Sequence, residues 1–152
     1  MISVIVQEAD FDIGMESKKL ASTTNIIGAI STFTGYVRNL NNQETVSSLF
    51  LEHYPGMTEN QIFSIADEAV KRWQLEGVTV IHRVGDLQPG DQIVFVAVAS
   101  QHRGDAFSAC EYIMDFLKTK AAFWKREKIP DGSRWIETRQ ADVEATAKWE
   151  IT

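Results

Sequence analysis

The sequence is poor in the residues that staple small folds. It carries one cysteine, Cys110, and three histidines, His53, His82 and His102, in 152 residues. One cysteine cannot form an internal disulfide, and no Cys/His spacing resembles a zinc site, so no metal or cofactor is expected. Long apolar runs are also missing: none approaches the roughly 18 residues of a membrane span. The opening MISVIVQEAD has neither a basic leader nor a small-residue cleavage site, so the expectation is a cytoplasmic protein that does not engage a membrane. Excess positive charge is lacking as well. A net charge of −6 argues against nonspecific binding to nucleic acid or anionic lipid, either of which needs a dominant basic surface. An anionic ligand would have to be met by a local cluster. Repeats, low-complexity stretches and Pro/Gly/Ser linkers are absent too, which leaves one domain over residues 1–152.

What is present is enough for a real core. With 44% hydrophobic and 24% charged residues the composition is that of an ordinary globular chain, and one of this length buries roughly 70% of its unfolded surface. Ile2 to Val6 reads as a first strand, and Asp12 as the cap of a short helix to about Leu20. Ile26 to Val37, rich in β-branched and aromatic residues, predicts a long strand buried on both sides. A polar loop over Asn39 to Gln43 and a strand over Val46 to His53 follow, closed by the turn pair Pro55-Gly56. Thr58 stands where an N-cap should, with Gln61 three residues on and Ile62, Ile65, Ala66, Ala69, Val70 and Trp73 at helical spacing to about Gln74. Val78 to Val84 and Gln92 to Ser100 are expected as antiparallel neighbours across Pro89-Gly90. A second long helix is expected from about Asp105 to Lys128, broken by Pro130, Asp131 and Gly132, then a short strand at Arg134 to Ile136. The fold class is α+β, a single domain with a largely antiparallel sheet and two main helices. Residues 139–152 are expected as a polar tail that is either frayed or folded over the site.

Charge is uneven along the chain. His102 to Lys128 holds six of the fifteen Lys/Arg residues against four acids, so this segment is +2 and the remainder −8. On the expected helix Ala106, Cys110, Ile113 and Leu117 form the core stripe. Lys118 and Lys125 flank that stripe seven residues apart, roughly 10 Å along a helix axis, with the small Ala121 and Ala122 between them. One account has these cations offsetting the helix dipole and solvating a surface. The other has them gripping an anion, in company with the corner His102-Arg103-Gly104-Asp105, where free N–H groups sit beside an imidazole and a guanidinium. In that corner Asp105 can equally be a plain N-cap. Cys110, on the apolar stripe, reads as a packing residue rather than a sulfur carrier.

Five strings carry more information than the pattern: Phe33-Thr34-Gly35-Tyr36-Val37-Arg38, LEHYPGM at Leu51 to Met57, IHRVGDLQPGD at Ile81 to Asp91, QHR at Gln101 to Arg103, and FLKTKAAFWKRE at Phe116 to Glu127. In order and spacing, from Phe11 to Trp149, they closely resemble the large-subunit family of molybdopterin synthase, the MoaE family. The resemblance implies an α/β-hammerhead-like fold and a sulfurtransferase acting on cyclic pyranopterin monophosphate in molybdenum cofactor biosynthesis. It implies a homodimer within a heterotetramer, each copy taking the thiocarboxylated Gly-Gly tail of a small ubiquitin-like sulfur-carrier subunit. Carried over by position, it places substrate binding at Tyr36, Val37, Arg38, His102, Arg103, Lys118, Lys125, Arg126 and Glu127, and catalysis at Lys118 first and Lys125 second. The chain departs from the family pattern at Ala122, where proline is usual, and at Lys120, where arginine is common. The competing expectation is a non-catalytic dimeric scaffold that captures the partner's tail by strand addition.

Overall fold

The computed structural model describes residues 1–41, 44–136 and 139–150; the end of the polar loop expected over Asn39 to Gln43 lies outside them. The elements run β1 (Ile2–Gln7), α1 (Ile13–Ala21), β2 (Ala29–Tyr36), β3 (Leu40–Asn41), β4 (Glu44–Thr45), β5 (Ser48–His53), α2 (Met57–Trp73), β6 (Gly77–Arg83), β7 (Gly85–Leu87), β8 (Gln92–Ser100), α3 (Arg103–Lys120), β9 (Phe123–Ile129), β10 (Gly132–Ile136), α4 (Gln140–Ala147) and a 3-10 turn, Lys148–Glu150. They build one sheet in the order β1-β6-β8-β2, a second in the order β10-β9-β5-β7, and a small β3-β4 ribbon. Only β1 and β6 pair in parallel; the other pairings are antiparallel. The α+β architecture and the β6–β8 pairing are as the sequence predicts.

The core follows from alternation. Along β8, Val94, Val96 and Val98 pack with α2 and α3 through Ile62, Ala66, Ala109 and Ile113. Phe95, Ala97 and Ala99 point the other way onto Leu20 of α1. A strand covered on both faces reads as a continuous apolar run, which is why β8 was legible. Asp12 caps α1 as expected, its carboxylate accepting from the Met15 amide at 2.9 Å.

Four expectations are corrected. The strand expected over Ile26 to Val37 and buried on both sides is β2, Ala29–Tyr36, which lies at a sheet edge and has no fully buried residue. Phe33 and Tyr36 are 41% and 54% exposed. A run of β-branched and aromatic residues favours a strand without telling a central one from an edge. The cap of α2 is Gly56, at φ +88°, not Thr58. The Glu59 carboxylate accepts from the Gly56 amide at 3.1 Å, so Glu59 makes the reciprocal bond expected of Gln61. At the start of α3 the cap position is His102, and Asp105 lies inside the first turn.

The fourth correction matters most for the site. The helix expected to reach Lys128 ends at Lys120, and Phe123 to Ile129 is strand β9. Ala121 is already extended, at φ −88° and ψ 134°. Beyond it Phe123, Lys125, Glu127 and Ile129 turn inward while Trp124, Arg126 and Lys128 are exposed, the period of two that defines a strand. No glycine or proline marks the switch. Ala122, where the family pattern has a proline, therefore stands outside any helix.

After residue 139, where a loose tail was one expectation, α4 packs against α3. Trp149 lies edge-on to Trp73 and Tyr112, its indole N–H donating to Asp115 at 2.6 Å and its carbonyl accepting from Arg72 at 2.8 Å.

Candidate functional site

A cavity of about 290 Å³ opens where the C-terminal turn of α3, the inner face of β9, the end of β2 and the start of α4 converge. Its walls include Tyr36, Val37, Arg38, Lys118, Lys125 and Glu127, so six of the nine carried-over residues meet at one place. Local irregularity aims the first three. Pairing of β2 with β8 shifts between Gly35 and Tyr36, leaving Ile93 as an extra residue of β8, and such a bulge bends and re-aims the chain. A Cβ on Gly35 would stand 2.8 Å from Val94 Cγ1, so glycine allows the two strands to close there. Past the bulge Val37 is buried and its backbone is held by Asp91 and Gly90 at 2.9 and 2.8 Å, which sends Arg38 to the cavity.

Lys118 comes from the last turn of α3 and Lys125 from the middle of β9, where its backbone faces Leu51 on one side and Ile136 on the other. Among the described residues neither lysine has a carboxylate within ion-pair distance. Burial is the largest influence on Lys125, with the charges of Lys118 and Arg139 pushing the same way against Asp142 and Glu127; together they bring its pKa down to about 8. An amine so placed carries an appreciable neutral fraction near physiological pH.

Glu127 is 4% exposed and is already engaged. Its Oε1 accepts from Asn41 Nδ2 at 2.6 Å and from Arg134 Nε at 3.4 Å. Arg134 also donates to the Asn41 carbonyl at 3.1 Å, and the Arg139 guanidinium donates to Asn41 Oδ1. Glu127 therefore braces the cavity wall through Asn41, and through Asn41 it fixes Arg139, which lines the cavity.

Three carried-over residues are elsewhere. Arg126 points to the opposite face of β9, its guanidinium 5.2 Å from the Phe50 ring centre and 5.6 Å from that of Trp135; alternation along the strand allows nothing else. His102 and Arg103 are exposed at the far end of α3, about 22 Å from Lys118 at 1.5 Å per helical residue. Within one copy they do not join the cavity. Conversely, sequence reasoning overlooked Asn41, Arg139, Asp142, Phe123 and His82, all in the cavity wall. Only His82 left a signal, since Val78, Val80 and His82 share one face of β6, which places a histidine among inward positions. Among the described residues no three His, Cys, Asp or Glu side chains gather closely enough to hold a metal ion. Cys110 is buried on the α3 core stripe, where burial pushes its thiol pKa up and disfavours the reactive thiolate.

The comparisons with known proteins point one way. The family described as "MoaE protein" matches residues 6–120. The chain is 53% identical over 151 residues to the molybdopterin synthase catalytic subunit of Ralstonia nicotianae, covering 99% of this chain and 86% of that one. It is 53% identical over 146 residues to the subunit of the same name from Escherichia coli, covering 96% and 97%. A solved structure of the molybdopterin biosynthesis MoaE protein from Burkholderia ambifaria superimposes with a TM-score of 0.86 at 47% identity, covering all of both chains. The chain belongs to the MoaE family. The MoaE match stops at Lys120, where α3 also stops. The strand that carries Lys125 and Glu127 is thus covered by the full-length relatives rather than by the family match. No helix of the described MoaE chain is long and apolar enough to cross a membrane.

Proposed function

We propose that the chain is the catalytic subunit of a molybdopterin synthase, a sulfurtransferase that converts cyclic pyranopterin monophosphate to molybdopterin. The sulfur comes from the C-terminal thiocarboxylate of a small ubiquitin-like subunit whose Gly-Gly tail enters the cavity. One observation carries the reading: two lysines from different elements face one cavity with no carboxylate in ion-pair distance among the described residues, and one has its pKa held at about 8. Fixed cations suit the phosphate, with the Arg38 and Arg139 guanidinium groups offering paired donors. Attack of the thiocarboxylate sulfur on a pterin side-chain carbon forms a C–S bond and breaks that carbon's C–O bond to the cyclic phosphate, whose ring opens. Water then cleaves the resulting thioester to a thiol on the pterin and a carboxylate on the carrier, and both steps build negative charge on oxygen. The Lys118 ammonium stands where it can meet that charge. The acid–base role, expected at Lys118 first, passes to Lys125, whose depressed pKa lets it release and recover a proton near neutral pH. Glu127 is a positioning residue in this scheme, and Arg126, on the opposite face of β9, has no substrate contact.

His102 and Arg103 enter only from a second copy. Among the described residues the outer edge of β2 carries no strand, and exposed Phe33 and Tyr36 lie along it. Ala29, at one end of β2, pairs with Ser100, two residues before His102; Tyr36, at the other end, lines the cavity. Antiparallel packing of two β2 edges about a twofold axis brings the second copy's Ala29 end, with its His102-Arg103 corner, against Tyr36 and Arg38 of the first. All of the carried-over substrate residues except Arg126 then meet in a homodimer, with one small subunit per cavity.

The test is to combine the chain with thiocarboxylated small subunit and cyclic pyranopterin monophosphate and to follow dithiolene product by mass spectrometry. Product that disappears in Lys118→Ala and Lys125→Ala supports the synthase. Absence of product while the small subunit is bound selects the non-catalytic scaffold instead.

A further inference from the structure

We propose that His82 is a substrate-binding residue of this cavity: a neutral imidazole that presents its Nε2 lone pair to an N–H or O–H donor of the pterin. The identity of the ligand rests on the synthase reading; the state and aim of the imidazole rest on geometry.

His82 is 7% exposed and lines the cavity. Its backbone is paired on both sides, with Val6 of β1 and Val94 of β8. Its ring lies 4.0 Å from that of Phe123 at an interplanar angle of 23°, so neither the main chain nor the ring is free to turn. Nδ1 stands 2.8 Å from the Arg83 carbonyl oxygen. A carbonyl only accepts, so Nδ1 carries the proton and Nε2 carries the lone pair. Nε2 makes no hydrogen bond to the protein among the described residues. No fully occluded side-chain nitrogen or oxygen among them lacks a partner, which means Nε2 is open to the cavity rather than sealed in the core.

The surroundings keep this nitrogen an acceptor. Burial, followed by the charges of Lys125, Lys118 and His53, outweighs the Arg83 carbonyl bond and lowers the His82 pKa to about 3. The ring is neutral at any pH at which the protein would work. The rest of the wall includes cationic donors, among them Lys118, Arg38 and Arg139. Those suit phosphate and carbonyl oxygens. A reduced pterin also carries ring and exocyclic N–H donors, and these need acceptors. Glu127 has given Oε1 to Asn41 and Arg134; beside the Asp142 carboxylate, His82 Nε2 is a neutral acceptor already aimed at the cavity. A ligand lacking the matching donor would leave Nε2 dehydrated and unpaired, the strongest form of discrimination a polar pocket has.

Two measurements decide it. In ¹⁵N spectra of the wild-type protein labelled in histidine, the unprotonated Nε2 signal should move toward the protonated range when cyclic pyranopterin monophosphate alone is added. In turnover with thiocarboxylated small subunit, His82→Phe keeps the stack on Phe123 and loses the acceptor. It should raise KM for the pterin and lower kcat/KM roughly tenfold. His82→Gln, long enough to return an acceptor near Nε2, should recover most of that loss, although both variants forfeit the Arg83 bond and should lose similar thermal stability. An unmoved Nε2 signal with pterin bound, or activity that follows stability and ignores the acceptor, overturns the proposal. A wild-type chain that neither binds the pterin nor yields product with its partner overturns the synthase reading instead.

Discussion

The Thr58 hydroxyl donates to the Ala122 carbonyl at 2.9 Å, joining the first turn of α2 to the turn that carries the chain from α3 into β9. The same hydroxyl accepts from the Tyr54 amide at 2.9 Å, and the Ala122 amide donates to Gln61 Oε1 at 2.8 Å. Both backbone groups of Ala122 are thus held by side chains from α2. This bracket sets the separation of Lys118, before the turn, from Lys125, after it. Thr58→Val keeps the volume and leaves two backbone groups without their partner. It is expected to cost about 1–3 kcal/mol in urea unfolding and to lower turnover further than the fraction unfolded accounts for. Unchanged stability would show that water replaces the hydroxyl.

Ala122→Pro is a sharper test of where the helix ends. Proline inside a helix costs about 3 kcal/mol. Here Ala121 already has the extended conformation that a following proline demands, and the loss is confined to the Ala122–Gln61 hydrogen bond. The lost bond and the stiffer unfolded chain offset one another, so the net change should stay within about 1 kcal/mol. A shift of the urea midpoint equivalent to about 3 kcal/mol would place Ala122 in a helix after all.

The lowered pKa of Lys125 gives a signed pH dependence. Its folded value of about 8 lies below the ordinary lysine value of roughly 10.4. Between the two, the unfolded chain holds a proton that the folded chain has released, so stability rises with pH over that window. Lys125→Met should flatten the rise. Because the Lys118 charge helps to depress Lys125, Lys118→Met should move the Lys125 titration, followed by ¹³C NMR of its ε carbon, upward toward normal. A titration indifferent to Lys118 would separate the two lysines.

Glu127→Ala leaves Arg134 and Asn41 without the carboxylate that both contact. Removing one partner from such a buried set is expected to cost about 3 kcal/mol, read from chemical denaturation. Glu127→Gln, which retains an acceptor for Asn41, should cost less. Equal losses would mean that charge, not the hydrogen bond to Asn41, dominates.

If each cavity draws His102 from a second copy, variants should complement. Mixing Lys118→Ala with His102→Ala chains and allowing exchange makes half the dimers mixed, each with one intact site of two. Activity of about a quarter of wild type is expected from two inactive parents. No recovery, with exchange verified by mass spectrometry, would put both residues in the same site of one copy.

The sequence was most legible where a segment is buried on one definite stripe or on both faces. β8 reads as an unbroken apolar run and α2 as an amphipathic repeat, and both appear where expected. Edge strands are harder, since Phe33 is equally at home under a neighbour or facing a second copy. The hidden feature was the end of α3. Lys118 and Lys125 fit a helical spacing of seven, while Phe123, Lys125, Glu127 and Ile129 fit an alternation of two equally well. What decides between them is the pair of bonds from Thr58 and Gln61, contacts about sixty residues away that no local pattern contains. Six of the nine residues carried over from the resembling strings line the cavity. Asn41 and Arg139 were not legible, because their role exists only once Glu127 is buried between distant strands.

β9 has two unlike sides, with Lys125 and Glu127 facing the cavity and Trp124 and Arg126 facing out. A slip of one residue in its pairing with β5 would exchange them, swinging tryptophan inward and both working groups into solvent. The contacts of Glu127 with Asn41 and Arg134 thus mark the register: a slip of one residue takes that carboxylate from its partners and puts an indole where a cation stands.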